Sequence, residues 1–273
     1  QGLAKRWPSI YGHDLFFVHG SQGLYTVLPW LIGQALRVVD PVPLFMWGGL
    51  AGLLAFCLAG WYCLAGLLPE NQRYWAWLGV ACLPSTYGRS VIFSYNEAFL
   101  TPRPLAEAAC LLGIGLLVRG HRSGALACAV VALLLHPLQS IAAFLVCWTW
   151  LVLQDRRWLH AAWALVPIGI LAVAGTPPLD GLVRSYDADW LAMLRQTSGQ
   201  LFLTGWPASD QIRLAFDGML LVLAWRTLPR LFGAWCACAC LALAVALAAS
   251  FILVDWQHLV LPAGLQLWRV HWL

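Results

Sequence analysis

Apolar residues in this chain come in long blocks separated by short polar knots, a pattern that predicts a series of membrane-crossing helices. Leu44–Leu68 and Leu231–Val254 each reach the roughly 20 residues needed to cross the hydrocarbon core. Tyr74–Phe93, Leu105–Val118, Gly124–His136, Leu138–Leu153, Leu159–Gly175 and Ile212–Trp225 read as further spans, some of them short for a full crossing. Leu259–Leu273 adds a last apolar run. Leu24–Val39 carries Pro29, Gln34 and Arg37 and reads as a helix lying at the interface. Asp40-Pro41-Val42-Pro43 ends it, because proline disfavours a helical residue before it. The expectation is an all-α, polytopic integral membrane helical bundle with about eight or nine membrane segments and one or two interfacial helices. It forms a single transmembrane domain over residues 1–273.

Charge orients these blocks. The turns holding Arg73, Arg119 and Arg122, Arg156 and Arg157, and Arg226 and Arg230 share one side if every block crosses, and the positive-inside bias makes that side cytoplasmic. An outward loop over 1–43, Ser94–Pro104, His136-Pro137, a long polar loop over 176–211, and Asp255–His258 then face the opposite side. The polar start and the apolar end predict a fragment of a longer protein, with at least one more helix beyond each end.

Composition narrows the class. The chain is 61% hydrophobic and 10% charged, against about 25% charged in soluble domains, which excludes a soluble fold of this size. The net charge of +4 comes without a basic run of the length that nucleic-acid binding needs, so nucleic acid is excluded as a partner. Many of the seventeen Trp, including Trp75, Trp77, Trp148, Trp150, Trp158, Trp206, Trp256, Trp268 and Trp272, fall near segment ends and predict an aromatic belt. Cys236, Cys238 and Cys240 lack ligand spacing and read as small packing residues. No internal repeat supports a transporter built from inverted repeats.

The candidate chemistry gathers on the outward side. It comprises the acids Asp14, Glu97 and Glu107, the histidines His13, His19, His136 and His258, and the cations Arg89 and Arg103. Ionisable groups inside or at the mouth of a bilayer segment are expensive to keep, and so mark function. A carboxylate shielded from water can take a proton from a hydroxyl nucleophile. Arginine binds phosphate through paired hydrogen bonds. Plainer roles compete: Glu97 as a helix cap, Arg103 and Glu107 as an i,i+4 pair, and His136 filling the hydrogen-bond gap left by Pro137. Asp187 and Asp189 could hold a divalent metal or simply be solvated. Asp217, inside a span, has Arg213 one turn earlier as its obvious partner. Haem ligation by His136 and His258 is a further reading of the histidines.

Phe16-Phe17-Val18-His19-Gly20, Asp40-Pro41-Val42-Pro43-Leu44-Phe45, the run from Glu97-Ala98-Phe99-Leu100-Thr101-Pro102-Arg103 to Glu107-Ala108, and Leu133-Leu134-Leu135-His136-Pro137-Leu138 resemble a group of bacterial polytopic proteins. Those proteins resemble the GT-C class of membrane glycosyltransferases. The resemblance implies many helices, an outward first loop bearing an acidic catalytic residue, and a polyprenyl-phosphate sugar donor at a bacterial inner membrane. Asp14 matches the first-loop acid and would be the base. Arg103, with Arg89, would hold the donor phosphate, and Glu97, Glu107 and His136 would shape the site. The class commonly has an acidic pair where this chain has Asp14 alone, and a helix before that loop. The rival expectations are an accessory subunit bound to other membrane subunits and a transporter of a lipid-linked substrate.

Overall fold

A computed structural model of the chain describes residues 4, 6–11, 26–82, 86–89, 93–94, 97 and 99–273. Among the described residues the architecture is all-α apart from a two-stranded pairing of β1 (Thr86–Tyr87) with β2 (Phe93–Ser94) and an isolated antiparallel bridge between Ser185 and Leu259. The chain divides into two compact units, residues 1–85 with 94–143, and residues 86–93 with 144–273.

The first unit contains α1 (Leu28–Ala35), α2 (Pro41–Leu67), α3 (Glu70–Cys82), α4 (Pro102–Val118), α5 (Arg122–Leu135) and the first turns of α6 (Pro137–Gln154). Proline sets half of these starts. Pro41, Pro102 and Pro137 each occupy the first helical position, where the missing N–H costs nothing. α2 packs on α4 through small residues. Gly52 lies against Pro104, and Gly115 is pressed against Tyr62 and Cys63, so the two backbones approach closely as membrane helices do. Phe56, Ala59 and Ala108 form the buried seam. The short α1 buries Leu28, Ile32 and Leu36 against Leu44, Phe45, Leu100, Leu105 and Leu135. It enters with a backbone bond from Val27 N–H to the Leu134 carbonyl at 3.0 Å, which satisfies one of the orphan carbonyls at the end of α5.

The second unit takes the rest of α6, followed by a 3-10 segment, Arg156–Ala164, that passes into α7 (Leu165–Val173). Next come α8 (Ala188–Thr197), α9 (Ala208–Thr227) and α10 (Arg230–Ser250), which continues as a π-helix over Phe251–Trp256. α11 (Val260–Leu265) and a 3-10 segment, Leu267–Trp272, complete it. The stretch 176–211, expected as an outward loop, therefore contains α8 and several short 3-10 turns. The single span expected over Leu159–Gly175 is divided for a physical reason. Pro167 cannot donate to the carbonyl of residue 163, so the α ladder starts within a turn before it. α3 likewise stops at Cys82, well short of Phe93, with Pro84 two residues on.

Among the described residues, three helices are long and apolar enough to cross a membrane: Pro41–Leu67, Pro137–Gln154 and Arg230–Trp256. At about 1.5 Å per residue, the 27 residues of α2 make roughly 40 Å, more than the ~30 Å hydrocarbon core. Met46, Trp47, Leu50, Leu54 and Leu58 are exposed along α2, as are Leu241 and Val245 on α10. Continuous apolar exposure of this kind is the arrangement a lipid-solvated surface requires. Trp75 and Trp256 are exposed, as a belt predicts. Trp206, Trp268 and Trp272 are instead buried, and the first two meet edge to face at 5.0 Å. Part of the tryptophan content is thus core packing. Cys238 is fully buried and Cys236 nearly so, both as free thiols, in keeping with their reading as packing residues.

Candidate functional site

The sequence-predicted residues of the first unit collect at the N-terminal ends of α4 and α6. Glu97 precedes α4 and is largely withdrawn from solvent. Its carboxylate accepts from the Thr101 hydroxyl and from the Arg103 guanidinium. Thr101 is the residue at the cap of α4, yet its side chain makes no capping bond to the helix. The hydroxyl donates to Glu97 instead, so the loop and the first turn of α4 are tied together by an acid, an alcohol and an arginine. The i,i+4 spacing of Arg103 and Glu107 pointed to a helix-internal pair. Arg103 instead reaches back to Glu97 as an ion pair, while Glu107 is engaged from another helix.

Glu107 lies in the second turn of α4 with no solvent exposure. The side-chain amide of Gln139, equally buried, donates to it from α6. Gln139 carried no signal in the sequence beyond being an amide in an apolar helix two residues past a proline. Its position is set by the break between α5 and α6. His136 is extended there, with φ −155° and ψ 91°, as a residue before proline must be. His136 then acts as the cap of α6. Its carbonyl accepts the Gln139 and Ser140 amides, and its Nδ1 accepts the Gln139 N–H at 3.3 Å. An imidazole thus does what a serine or aspartate oxygen does at most helix starts. A ring that accepts at Nδ1 carries its proton on Nε2. The Ser140 hydroxyl bonds to the Pro137 carbonyl at 2.7 Å, removing its own polarity from the buried surroundings.

Asp14, with His13 and His19, lies outside the described residues. Arg89 belongs to the second unit, where its guanidinium sits flush against Gly199 and leaves no room there for a side chain. Asp187 is the cap of α8, accepting the Trp190 N–H at 2.8 Å, and Asp189 follows in the first turn, where it complements the helix dipole. These are helix-starting roles, and among the described residues no three His, Cys, Asp or Glu side chains gather as a metal site. Asp217 pairs with His271 at 2.7 Å, where Arg213 was the expected partner.

In the second unit Asp255 accepts the Thr204 N–H at 2.9 Å and the Leu203 N–H at 3.2 Å, and Arg195 meets His258 at 3.2 Å. Chemically, the residues around the starts of α4 and α6 offer two carboxylates, each hydrogen-bonded into a fixed orientation, one arginine and one imidazole that accepts at Nδ1, near helix N-termini that favour anions. Set against family models, curated proteins and solved structures, the chain matches none.

Proposed function

We propose that this chain is a GT-C-type membrane glycosyltransferase that moves a sugar from a polyprenyl-phosphate donor to an acceptor on the outer face of a bacterial inner membrane. The observation that carries the reading is the concentration of Glu97, Arg103, Glu107 and His136 around the starts of α4 and α6. Two helix N-termini and a guanidinium suit a phosphate at headgroup depth. In this reading α4, α5 and α9 also enter the bilayer, bringing the segments toward the expected eight or so.

The acceptor hydroxyl gives its proton to the Asp14 carboxylate, and its oxygen bonds to the anomeric carbon. The bond from that carbon to the phosphate oxygen breaks, and polyprenyl phosphate leaves with the electron pair. Arg103, oriented by Glu97, offsets the charge of the phosphate. Glu107 and His136 hold the shape of the site.

The test uses the full chain in lipid nanodiscs with radiolabelled polyprenyl-phosphate sugars. Release of label from the lipid is expected, with a loss of at least about 100-fold in Asp14→Asn, the range for removing a general base. No release from any donor, or an unchanged rate in that variant, would sink the reading. The accessory-subunit alternative is favoured by the largely uncovered surface of α2. A single small species in blue native electrophoresis would count against it.

A further inference from the structure

The second unit holds an Arg–His contact that the proposed transfer chemistry does not use. Arg195 Nη2 and His258 Nε2 lie 3.2 Å apart. A guanidinium is only a donor, so the His258 nitrogen facing it must supply a lone pair. Neither side chain forms an ion pair with an acid among the described residues. Asp255, the acid nearest to His258 in sequence, is committed elsewhere, because its oxygens accept the Leu203 and Thr204 amides. The pair therefore holds the Arg195 charge with no acid in ion-pair contact among the described residues.

The backbone holds the imidazole in place at some cost. His258 has φ 55°, a left-handed conformation that glycine adopts far more readily at the end of a helix. Its carbonyl accepts the Tyr186 N–H at 3.0 Å, and the neighbouring Leu259 N–H bonds to Leu253 at 2.9 Å. A ring retained at a position where glycine is cheapest points to a use for that ring.

The surroundings say where the pair sits. His258 lies two residues beyond Trp256, the end of the Arg230–Trp256 helix, which is long and apolar enough to cross a membrane. Trp256, at its end, is 72% exposed, and an exposed indole at the end of such a helix belongs at headgroup level. On α8, Leu191 and Leu194 pack inward against Leu201, Phe202, Val254 and Ala263, whereas Trp190 and Met193 are exposed. That is the form of a helix lying in the interface, with Arg195 in its last turn.

We infer that Arg195 and His258 bind the phosphate of an anionic phospholipid headgroup where the Arg230–Trp256 helix meets the membrane surface. The guanidinium offers a planar fork to two phosphate oxygens, and the imidazole adds a ring N–H. A lipid headgroup, rather than free phosphate, is the source because the exposed apolar residues beside the pair place it in the bilayer interface.

Native mass spectrometry of the full chain, with phosphatidylglycerol or phosphatidylcholine added, reads the site directly. Arg195→Gln removes the fork. His258→Gly removes the ring while easing the left-handed backbone, so this variant is expected to fold at least as well as the parent. Phosphatidylglycerol affinity is expected to fall about tenfold in Arg195→Gln, the loss of a charge-assisted hydrogen-bond partner, and several-fold in His258→Gly. Phosphatidylcholine retention should not change. Unchanged phosphatidylglycerol retention in both variants overturns the site, as does an equal loss of both lipids. Displacement of phosphatidylglycerol by millimolar inorganic phosphate overturns the lipid assignment.

Discussion

Gln139 donates its side-chain amide to the carboxylate of Glu107, joining the first turn of α6 to the second turn of α4 with both side chains withdrawn from solvent. A hydrogen bond contributes about 0.5–1.5 kcal/mol net, and taking a partner from a buried polar group costs about 1–3 kcal/mol. Gln139→Ala is therefore expected to lower the melting temperature of the purified chain by several degrees. Glu107→Gln, which keeps an amide-to-carbonyl bond, should cost less. Scanning fluorimetry in mild detergent decides it: equal melting of Gln139→Ala and the parent would show that the bond holds nothing together.

The seam between α2 and α4 makes a sharper steric prediction. A Cβ on Gly115 would stand 2.8 Å from Tyr62 Cδ1 and 3.1 Å from the Cys63 Cα, and the second of these is backbone that cannot swing away. Arg119 closes the same seam, donating to the Gly115 carbonyl at 2.7 Å and the Tyr62 carbonyl at 2.9 Å, with its guanidinium 3.9 Å over the Tyr62 ring. Gly115→Ala is expected to destabilise by about 1–3 kcal/mol, the usual range for overpacking. Gly79→Ala is the control. Nothing lies within 4 Å of a Cβ there, and alanine in a helix should gain about 0.5–1 kcal/mol. Opposite signs in denaturant or thermal unfolding support the packing; a loss of equal size in both variants would not.

What the sequence disclosed divides along physical lines. Block length and proline placement are local, and they located α2, α6 and the Arg230–Trp256 helix within a few residues of their ends. The break at His136-Pro137 was legible for the same reason. Whether an apolar block winds as one helix was less so, as the 3-10 and α portions around Pro167 show. Side-chain partners depend on which helices meet, and spacing along one helix does not report that. Arg103 therefore paired with Glu97 and Asp217 with His271, and Gln139, an uncharged residue in an apolar run, gave no sign that it would face Glu107.

The Asp217–His271 pair can be separated from the rejected partner by a double-mutant cycle. Asp217 is 39% exposed at its side chain while His271 is largely buried, so solvent screens the pair and its coupling should lie near 0.5–1 kcal/mol. Asp217→Asn and His271→Gln are each expected to lower the melting temperature slightly, and their effects should not add. The cycle between Asp217→Asn and Arg213→Gln should be additive. Coupling to Arg213 in place of His271 would contradict the observed contact.

Alkaline stability gives the last prediction. Tyr186 donates its hydroxyl to the Val260 carbonyl at 3.3 Å, and burial pushes its phenol above the ordinary value of 10.0. Below about pH 10 both folded and unfolded phenols hold their protons, and the contribution of Tyr186 is constant with pH. As the pH rises past that point the unfolded phenol ionises first, so unfolding releases a proton and folded stability declines until the folded phenol also ionises. Tyr186→Phe loses the hydrogen bond to Val260 but has no proton to release. It should melt at or below the parent near neutral pH, and its decline above about pH 10 should be shallower, so that the two curves converge. Melting curves for both proteins across about pH 8 to 11 test this, since every other titrating group is common to the pair. Parallel declines would mean that the Tyr186 phenol is as accessible in the folded chain as in the unfolded one.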